Sequence, residues 1–174
     1  MNIETDRLVL KSISAEDREF IFSQFSDEEV TKYLYDEEPL TEISGADEII
    51  DMYVQSKSLG ISRWILVRKS DNAKMGTCGF HCFNPSENKI DIGYDMKETF
   101  WGNGYMQEAI KALVNVIIRE LKVKQINAHI YIENRNSVKL VERLGFQFSG
   151  NEYYCTFRGM DYLHKVYSLD CSTL

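Results

Sequence analysis

The chain has 174 residues, and its 27 aspartates and glutamates outnumber its 20 lysines and arginines to give a formal net charge of −7. Its length suits one ordinary domain, and its content of 44% hydrophobic and 27% charged residues excludes a disordered chain or a membrane protein. The acidic balance argues against nonspecific nucleic-acid binding, which needs a cationic stripe. We therefore expect a single domain over residues 1–174, with neither a nucleic acid nor a membrane as its partner.

The charge is divided unevenly along the chain. Residues 1–60 hold 15 acids and 5 bases, a balance of −10, whereas residues 61–174 hold 12 acids and 15 bases, a balance of +3. This division fits two surfaces that meet two kinds of ligand, although a solvated acidic face would also produce it.

The first half of the chain contains a predicted strand and two predicted helices. Arg7–Ser12 is predicted as a strand, and Ser14 as the N-cap of a helix in which Asp17 replaces the glutamate of a capping box. A second helix is predicted to begin at Thr41 and to cover Ile43–Ser58, because apolar residues recur there at helical spacing.

Three short strands separated by polar turns are predicted next, and this pattern indicates an antiparallel meander. The strands are Trp64–Arg68, Lys74–Phe83 and Lys89–Met96. The hydrophobic period then changes, so that Met106–Leu121 is predicted as a long helix and Gln125–Ile132 as a strand.

The last part of the chain is predicted to form a short helix and a hairpin. The helix covers Ser137–Leu144 and ends at Gly145, and the strands Phe146–Phe157 and Met160–Leu169 pair through the turn Arg158-Gly159. The predicted fold class is therefore α+β, with helices on the faces of a mixed sheet.

The cysteines and the chain ends indicate a reducing, cytoplasmic location. No run reaches the roughly 18 apolar residues that span a bilayer, and the acidic N-terminus is neither a signal nor a transit peptide.

Cys78 and Cys82 flank His81, which could indicate a metal site. In a strand, however, residues four apart lie about 13 Å from each other, too far to share one tetrahedral ion. We therefore expect no metal.

A glycine turn joins the third strand of the meander to the long helix. The strand segment Asp91–Met96 leads to the turn Trp101-Gly102-Asn103-Gly104-Tyr105. Glycines allow a close approach of the backbone to a ligand, and the free N–H groups of a helix start favour an anion. The turn lacks the third glycine of a dinucleotide fingerprint and the Gly-Lys-Ser/Thr of a P-loop. The meander before it also argues against a Rossmann domain.

A second motif follows this turn and gives the pattern its specificity. Residues 134–146 read Asn-Arg-Asn-Ser-Val-Lys-Leu-Val-Glu-Arg-Leu-Gly-Phe. Together with Thr5-Asp6-Arg7-Leu8, Ile92-Gly93-Tyr94 and the glycine turn, this order resembles the GCN5-related N-acetyltransferase (GNAT) family. Within that family the chain is most similar to the ribosomal-protein N-acetyltransferase (RimJ/RimL-like) branch. The resemblance implies a mostly antiparallel sheet of about seven strands, splayed between the fourth and fifth.

The resemblance also implies that acetyl-CoA is the cosubstrate. In the family, backbone amides of the turn hold its pyrophosphate, and the main chain near Met96 pairs with its pantetheine arm. Asn134 and Ser137 match positions that line the cofactor, and Lys139 approaches the phosphates, although Ser137 could instead be a helix cap. The residues implied in the turn are Trp101, Gly102, Asn103, Gly104, Tyr105 and Met106.

Three residues depart from the usual family pattern. Trp101 replaces the Arg or Gln of many relatives, although this branch often has Trp. Met106 replaces a small residue, so its side chain must point away from the phosphates. Val141 replaces a tyrosine that acts as an acid in many relatives, which leaves Ser137 or solvent to protonate the leaving thiolate.

The implied reaction is direct attack of an amine on the thioester in a ternary complex, and it needs a group that accepts the amine's proton. Asp91 aligns with an acidic position of this branch and is the best candidate base, although a strand carboxylate paired with a cation would look the same. Glu108 is expected to complement the helix dipole. His81 and His129 are expected to be packing or hydrogen-bonding residues.

The acceptor follows from the resemblance and from charge. The acidic segment Asp36-Glu37-Glu38 and Glu42 could attract a cationic amine, and Tyr33, Tyr35 and Trp64 could wall its cleft or belong to the core. The branch favours a protein N-terminal amine. A small-molecule amine (polyamine, aminoglycoside or amino acid) and a non-catalytic acetyl-CoA-binding domain are the alternatives. A homodimer through the late strands is also possible.

Overall fold

The structure, a computed structural model, describes residues 2–34, 38–55 and 61–172. Eight strands lie in these ranges: β1 Ile3–Glu4, β2 Leu8–Ser12, β3 Ser62–Arg68, β4 Lys74–Asn84, β5 Lys89–Met96, β6 Gln125–Tyr131, β7 Gln147–Phe157 and β8 Met160–Asp170. The α-helices of the same ranges are α1 Arg18–Phe25, α2 Glu28–Thr31, α3 Ser44–Gln55, α4 Tyr105–Leu121 and α5 Arg135–Arg143.

All eight strands belong to one sheet in the order β1-β2-β3-β4-β5-β6-β8-β7. Neighbouring strands are antiparallel except β5 and β6, which are parallel. The predicted α+β class, the meander and the late hairpin are thus confirmed. The sheet has one strand more than expected, because the short β1 pairs with β2 at Ile3↔Leu10.

The sheet opens between its parallel strands. β5 and β6 pair only where Lys89–Asp91 faces Gln125–Asn127. Beyond Asp91 the two strands diverge, and the space between Ile92–Met96 and Ala128–Tyr131 is called the gap below. This is the splay that the family resemblance implies, and Asp91 and Asn127 lie at its closed end.

Each face of the sheet has its own apolar core. On one face α4 and α5 pack against residues such as Ile90 and Ile92. On the other face α1 and α3 cover Ile65. Because alternate residues of a strand point to opposite faces, Asp91 and Asp95 lie on the face away from α4. None of the helices in the described ranges is long and apolar enough to cross a membrane.

The helix boundaries follow local capping chemistry. Ser14 and Asp17 form the predicted capping box, although the helix begins as a 3-10 turn at Ala15–Asp17. The helix predicted from Thr41 begins later, at Ser44, and its predicted end at Ser58 lies outside the described residues. The short helix α2 was not predicted.

The last hairpin and the start of α5 also follow from local residues. Arg158 and Gly159 both have positive φ, +51° and +73°, which is typical of a tight hairpin turn. Asn134 is the N-cap of α5, and its side chain accepts a hydrogen bond from the Ser137 N–H at 3.2 Å. Ser137 is therefore not the helix cap, and α5 begins two residues earlier than predicted. β7 is an edge strand of the sheet, as is β1 at the opposite edge. A homodimer through the late strands stays a prediction.

Candidate functional site

The glycine turn has the backbone geometry that a close ligand approach requires. Gly102 and Gly104 have φ of +75° and +76°, a region that favours glycine. Gly104 is the N-cap of α4 and has no side chain to cap it, so the first N–H groups of the helix are available to an anion. The Asn103 amide nitrogen donates to the carbonyl oxygens of Phe100 at 3.1 Å and Trp101 at 2.9 Å, which holds the turn in shape.

Arg7 and Glu108 fix the turn to the N-terminal strands. Arg7 Nη1 donates to the Asn103 carbonyl at 3.0 Å, and Arg7 Nε donates to Glu108 Oε2 at 2.6 Å. The Thr5 hydroxyl donates to the other Glu108 oxygen at 2.6 Å. Burial opposes ionisation of Glu108, but these bonds outweigh it and hold the pKa of its carboxyl below the usual value. Glu108 is therefore an anchor of the turn rather than a proton acceptor.

The wall of the gap on the side of β5 is already organised by hydrogen bonds. The Trp101 indole N–H donates to the Met96 carbonyl at 2.8 Å, so this main-chain group has a partner within the protein. Met106, which departs from the family pattern, is buried in the core, and so its side chain points away from the turn. Lys139 lies exposed on α5.

Tyr94 and Ser137 place two hydroxyl groups across the gap, on β5 and α5. Their oxygens are 2.6 Å apart, and either can be the donor. Burial raises the pKa of Tyr94 to about 12, although the Ser137 hydrogen bond acts in the opposite direction. The phenol is therefore protonated near neutral pH. Sequence reasoning did not find this hydroxyl pair, because Tyr94 and Ser137 lie 43 residues apart in the chain. Val141, where many relatives have a tyrosine, is fully buried.

Asp91 lies at the closed end of the gap, on the face away from α4. Asn127 Nδ2 donates to its Oδ1 at 3.1 Å, and His129 Nε2 lies 3.5 Å from its Oδ2. Burial opposes ionisation, but the His129 and Asn127 contacts outweigh it and hold the pKa of Asp91 below its usual value. All three residues line an open depression of about 310 Å³.

Aromatic side chains continue the same face from this depression. The Tyr131 ring lies 6.0 Å from the Tyr33 ring and 5.5 Å from the Tyr162 ring, and Tyr153 stacks on His164 at 5.4 Å. Such π-faces attract cations. Tyr33 is half-buried and packs on Tyr131, and its place in an acceptor cleft stays a prediction.

The other residues predicted for the acceptor site have different surroundings or are not described by the structure. Trp64 is buried in the core and packs on Phe80, with ring centroids 5.5 Å apart. Glu38 forms an ion pair with Arg158 at the hairpin turn, while Glu42 is exposed. Tyr35, Asp36 and Glu37 lie outside the described residues.

A cluster that the sequence analysis did not find joins β4 to β5. The strand β4 has a register shift between His81 and Asn84, and Cys82 within it has φ of +52°. The prediction of no metal depended on the distance between Cys78 and Cys82, and it did not consider Cys82 together with Asp91. Cys78 is buried in the core, whereas Cys82 lies beside His81 and Asp91.

Comparisons with known proteins agree with this geometry. The family described as Acetyltransferase (GNAT) domain matches residues 7–147. The chain is 34% identical over 170 residues to the uncharacterized N-acetyltransferase YoaA of Bacillus subtilis, and the alignment covers 96% of this chain and 95% of YoaA.

Two solved structures have the same fold. Spermidine N-acetyltransferase from Vibrio cholerae, in complex with CoA and spermine, superposes with a TM-score of 0.84 at 18% identity and covers 97% of this chain and 98% of its own. Ribosomal-protein-S5-alanine acetyltransferase from Vibrio fischeri superposes with a TM-score of 0.86 at 17% identity, with coverages of 99% and 97%. Identities this low show the fold alone.

Proposed function

Since the chain belongs to the GNAT acetyltransferase family, we propose that it moves an acetyl group from acetyl-CoA directly to a primary amine bound in the same complex. The observation that carries the proposal is the position of Asp91. The carboxylate lies at the closed end of the gap, where β5 and β6 separate after the pair Asp91↔Asn127. A thioester held in the gap and an amine held in the depression would meet beside it.

The glycine turn and the gap suit acetyl-CoA as the cosubstrate. The N-terminus of α4 offers N–H groups and a positive dipole end to the pyrophosphate, and Gly102 and Gly104 leave room for it. An added Cβ at Gly102 would meet nothing within 4 Å, so the space above the turn is open. Asn134, Ser137 and Lys139 on and before α5 would line the other side of the arm and its phosphates.

The reaction needs one proton removed and one supplied. The amine nitrogen attacks the thioester carbonyl, a C–N bond forms, the C–S bond breaks, and CoA leaves as a thiolate. We assign Asp91 as the group that receives the proton of the amine, with exposed His129 beside it as a route for this proton to solvent. The Tyr94 and Ser137 hydroxyl pair supplies a proton to the thiolate.

The first experiment tests the cosubstrate site with two matched glycine variants. Gly102→Ala and Gly159→Ala both introduce a Cβ at a φ near +75° in open space, +75° and +73° respectively, so they share the same backbone strain. Only Gly102 belongs to the turn. We expect Gly102→Ala to weaken CoA binding by about 10-fold or more, the loss of one or two charge-assisted hydrogen bonds, as measured by calorimetry.

The control, Gly159→Ala, should bind CoA like the wild type. Unchanged affinity in Gly102→Ala, or an equal loss in both variants, would contradict the site. If CoA binds but no amine in the panel below is acetylated, the chain is a non-catalytic acetyl-CoA-binding domain, and the enzyme proposal fails.

The hydroxyl pair is tested with Tyr94→Phe, which removes only the phenolic oxygen. We expect kcat to fall while the KM for acetyl-CoA changes little, because the phenol acts on the leaving thiolate rather than on binding. Ser137→Ala is the matched variant, and its kcat should fall by a similar factor. A fall in one variant only would show that the two hydroxyls do not act as a pair.

For the acceptor, we propose the N-terminal amine of a protein, as in the ribosomal-protein branch. The long exposed hairpin of β7 and β8 beside the depression supports a polypeptide partner, since Tyr154 and Met160 are 66% and 61% exposed there. The aromatic wall and Asp91 favour a second candidate, a cationic small amine such as a polyamine.

A panel of acceptors separates the two. Peptides with free N-termini, the same peptides blocked at the N-terminus, a polyamine, an aminoglycoside and free amino acids are incubated with acetyl-CoA, and the products are identified by mass spectrometry. Acetylation of the free peptides with no reaction of the blocked ones supports the first candidate. Preferential acetylation of the polyamine overturns it in favour of the second.

A further inference from the structure

The cluster of His81, Cys82 and Asp91 brings together three kinds of metal-binding atom. His81 and Asp91 are cross-strand partners in β4 and β5, and the bulge at Cys82 turns the next side chain toward the same carboxylate. One ligand atom from each residue, an imidazole nitrogen, a sulfur and a carboxylate oxygen, lies within 4.8 Å of the other two.

This ligand set suits zinc better than other common ions. Zn²⁺ accepts imidazole nitrogen, thiolate sulfur and carboxylate oxygen at about 2.0–2.3 Å, which places two ligands of one tetrahedral ion about 3.3–3.8 Å apart. Since its ligand atoms lie within 4.8 Å of one another, the cluster needs to contract by about 1.0–1.5 Å at most, within reach of side-chain rotation. A thiolate ligand disfavours Mg²⁺ and Ca²⁺, which prefer oxygen ligands.

The surroundings support the cluster in the way that residues around known metal sites do. Asn127 donates to Asp91 Oδ1 at 3.1 Å, and His129 lies 3.5 Å from Oδ2, so both contacts orient the carboxylate. The His81 ring lies over Gly93, where an added Cβ would be 3.3 Å from Cε1. Cys82 is exposed, so an ion can enter from solvent.

We propose that His81, Cys82 and Asp91 bind one Zn²⁺ ion and that the bound ion inhibits the enzyme by occupying Asp91. On binding, the Cys82 thiol loses its proton to solvent and a Zn–S bond forms, while three protein ligands leave the fourth position to water. The inhibition rests on the proposed function, because that function assigns Asp91 as the group that receives the proton of the acceptor amine. The binding of the ion does not depend on it.

Cobalt tests the binding without any need for activity. Co²⁺ replaces Zn²⁺ in tetrahedral sites, and a thiolate ligand gives it a charge-transfer band in the near ultraviolet. We expect this band in the wild type, its loss on addition of Zn²⁺, its absence in Cys82→Ser and its persistence in Cys155→Ser, the matched control on β7. No band in the wild type, or a band that survives Cys82→Ser, overturns the proposal.

A zinc titration gives the size of the effect. By calorimetry, Cys82→Ser and His81→Gln should each weaken Zn²⁺ binding by at least about 10-fold, because loss of an outer partner alone costs about 10–100-fold. Thermal unfolding of each variant checks that it is folded. A folded variant that binds Zn²⁺ like the wild type contradicts the assigned ligand.

The inhibition is measured by mass spectrometry of the acetylated amine, each protein against its own zinc-free rate. Zn²⁺ should inhibit the wild type and Cys155→Ser, a chelator should restore the rate, and Cys82→Ser should be inhibited much less. Equal inhibition of Cys82→Ser would overturn the regulatory part. If no amine is acetylated, the proposed function fails, while the cobalt band still decides whether the site binds metal.

Discussion

Two carboxylates on the same face of β5, four residues apart, have opposite surroundings. Asp95 forms an ion pair with Arg63, and its oxygens accept hydrogen bonds from the Thr77 hydroxyl at 2.6 Å and from Gln24 Nε2 at 2.7 Å. Its side chain is 2% exposed, beneath α1. The Asp91 side chain is 18% exposed, and it contacts the amide of Asn127 and the imidazole of His129.

These surroundings determine which of the two carboxylates can act on a ligand. The ion-pair and hydrogen-bond partners of Asp95 come from β3, β4 and α1. Its carboxylate oxygens are therefore not free to act on a ligand. Asp91 lines the open depression and lies where the gap begins. Asp95 ties β5 to its neighbours, whereas Asp91 keeps the exposure that the proposed proton transfer requires.

The largest expected effect is a loss of stability in Asp95→Asn. The substitution keeps the shape but leaves the charge of Arg63, which is 12% exposed, without its partner. Removal of one member of a buried pair costs about 3–5 kcal/mol. We expect the free energy of unfolding in urea to fall by about this amount.

Asp91→Asn is the matched control, since it makes the same chemical change on the same strand. Its stability should fall much less, because its partners are an amide and an imidazole rather than a buried guanidinium. If the two variants lost equal stability, the distinction between a structural and a reactive carboxylate would be wrong.

The second effect is a loss of activity in Asp91→Asn. An amide cannot accept the proton of the amine, and loss of a general base costs about 10²–10⁴-fold in rate. We expect kcat/KM for the amine to fall by such a factor while the affinity for CoA, from calorimetry, stays unchanged. A variant that retains wild-type kcat/KM would transfer the role to another group or to solvent.

The sequence could not distinguish these two aspartates. Both occupy the same face of a predicted strand, and what separates them is the arrival of Arg63 from β3 and Gln24 from α1, contacts between residues distant in the chain. The strand motif and the family resemblance predicted Asp91 as the reactive carboxylate. The alternation of side chains along the strand does not by itself distinguish Asp91 from Asp95.

The same limit explains the other successes and misses. The hairpin at Arg158-Gly159 was predictable because a tight turn depends on local residues, and the meander because its turns are polar. The bulge at Cys82 has no local signal such as glycine, so its left-handed backbone and the cluster beside Asp91 were not predictable. The contact of Tyr94 with Ser137 joins two motifs that the sequence shows only one after the other.

The smallest predicted effect concerns the pH dependence of the protein's stability. It arises because the pKa of Asp91 is lowered in the folded protein. Burial alone would raise the pKa of Asp91, but the contacts with His129 and Asn127 outweigh it and hold the pKa below the usual value of an aspartate. A lowered pKa stabilises the fold fully above the unfolded-state value and loses this contribution as the pH falls through the folded-state value. The wild type should therefore lose its stability advantage over Asp91→Asn on acidification below about pH 5, measured by urea unfolding at several pH values. His129→Gln removes the larger of the two favourable contacts and brings the folded-state pKa closer to the unfolded-state value, so this variant should lose less stability over the same acid range. An advantage that grows on acidification would mean that burial, not hydrogen bonding, governs the pKa of this carboxylate.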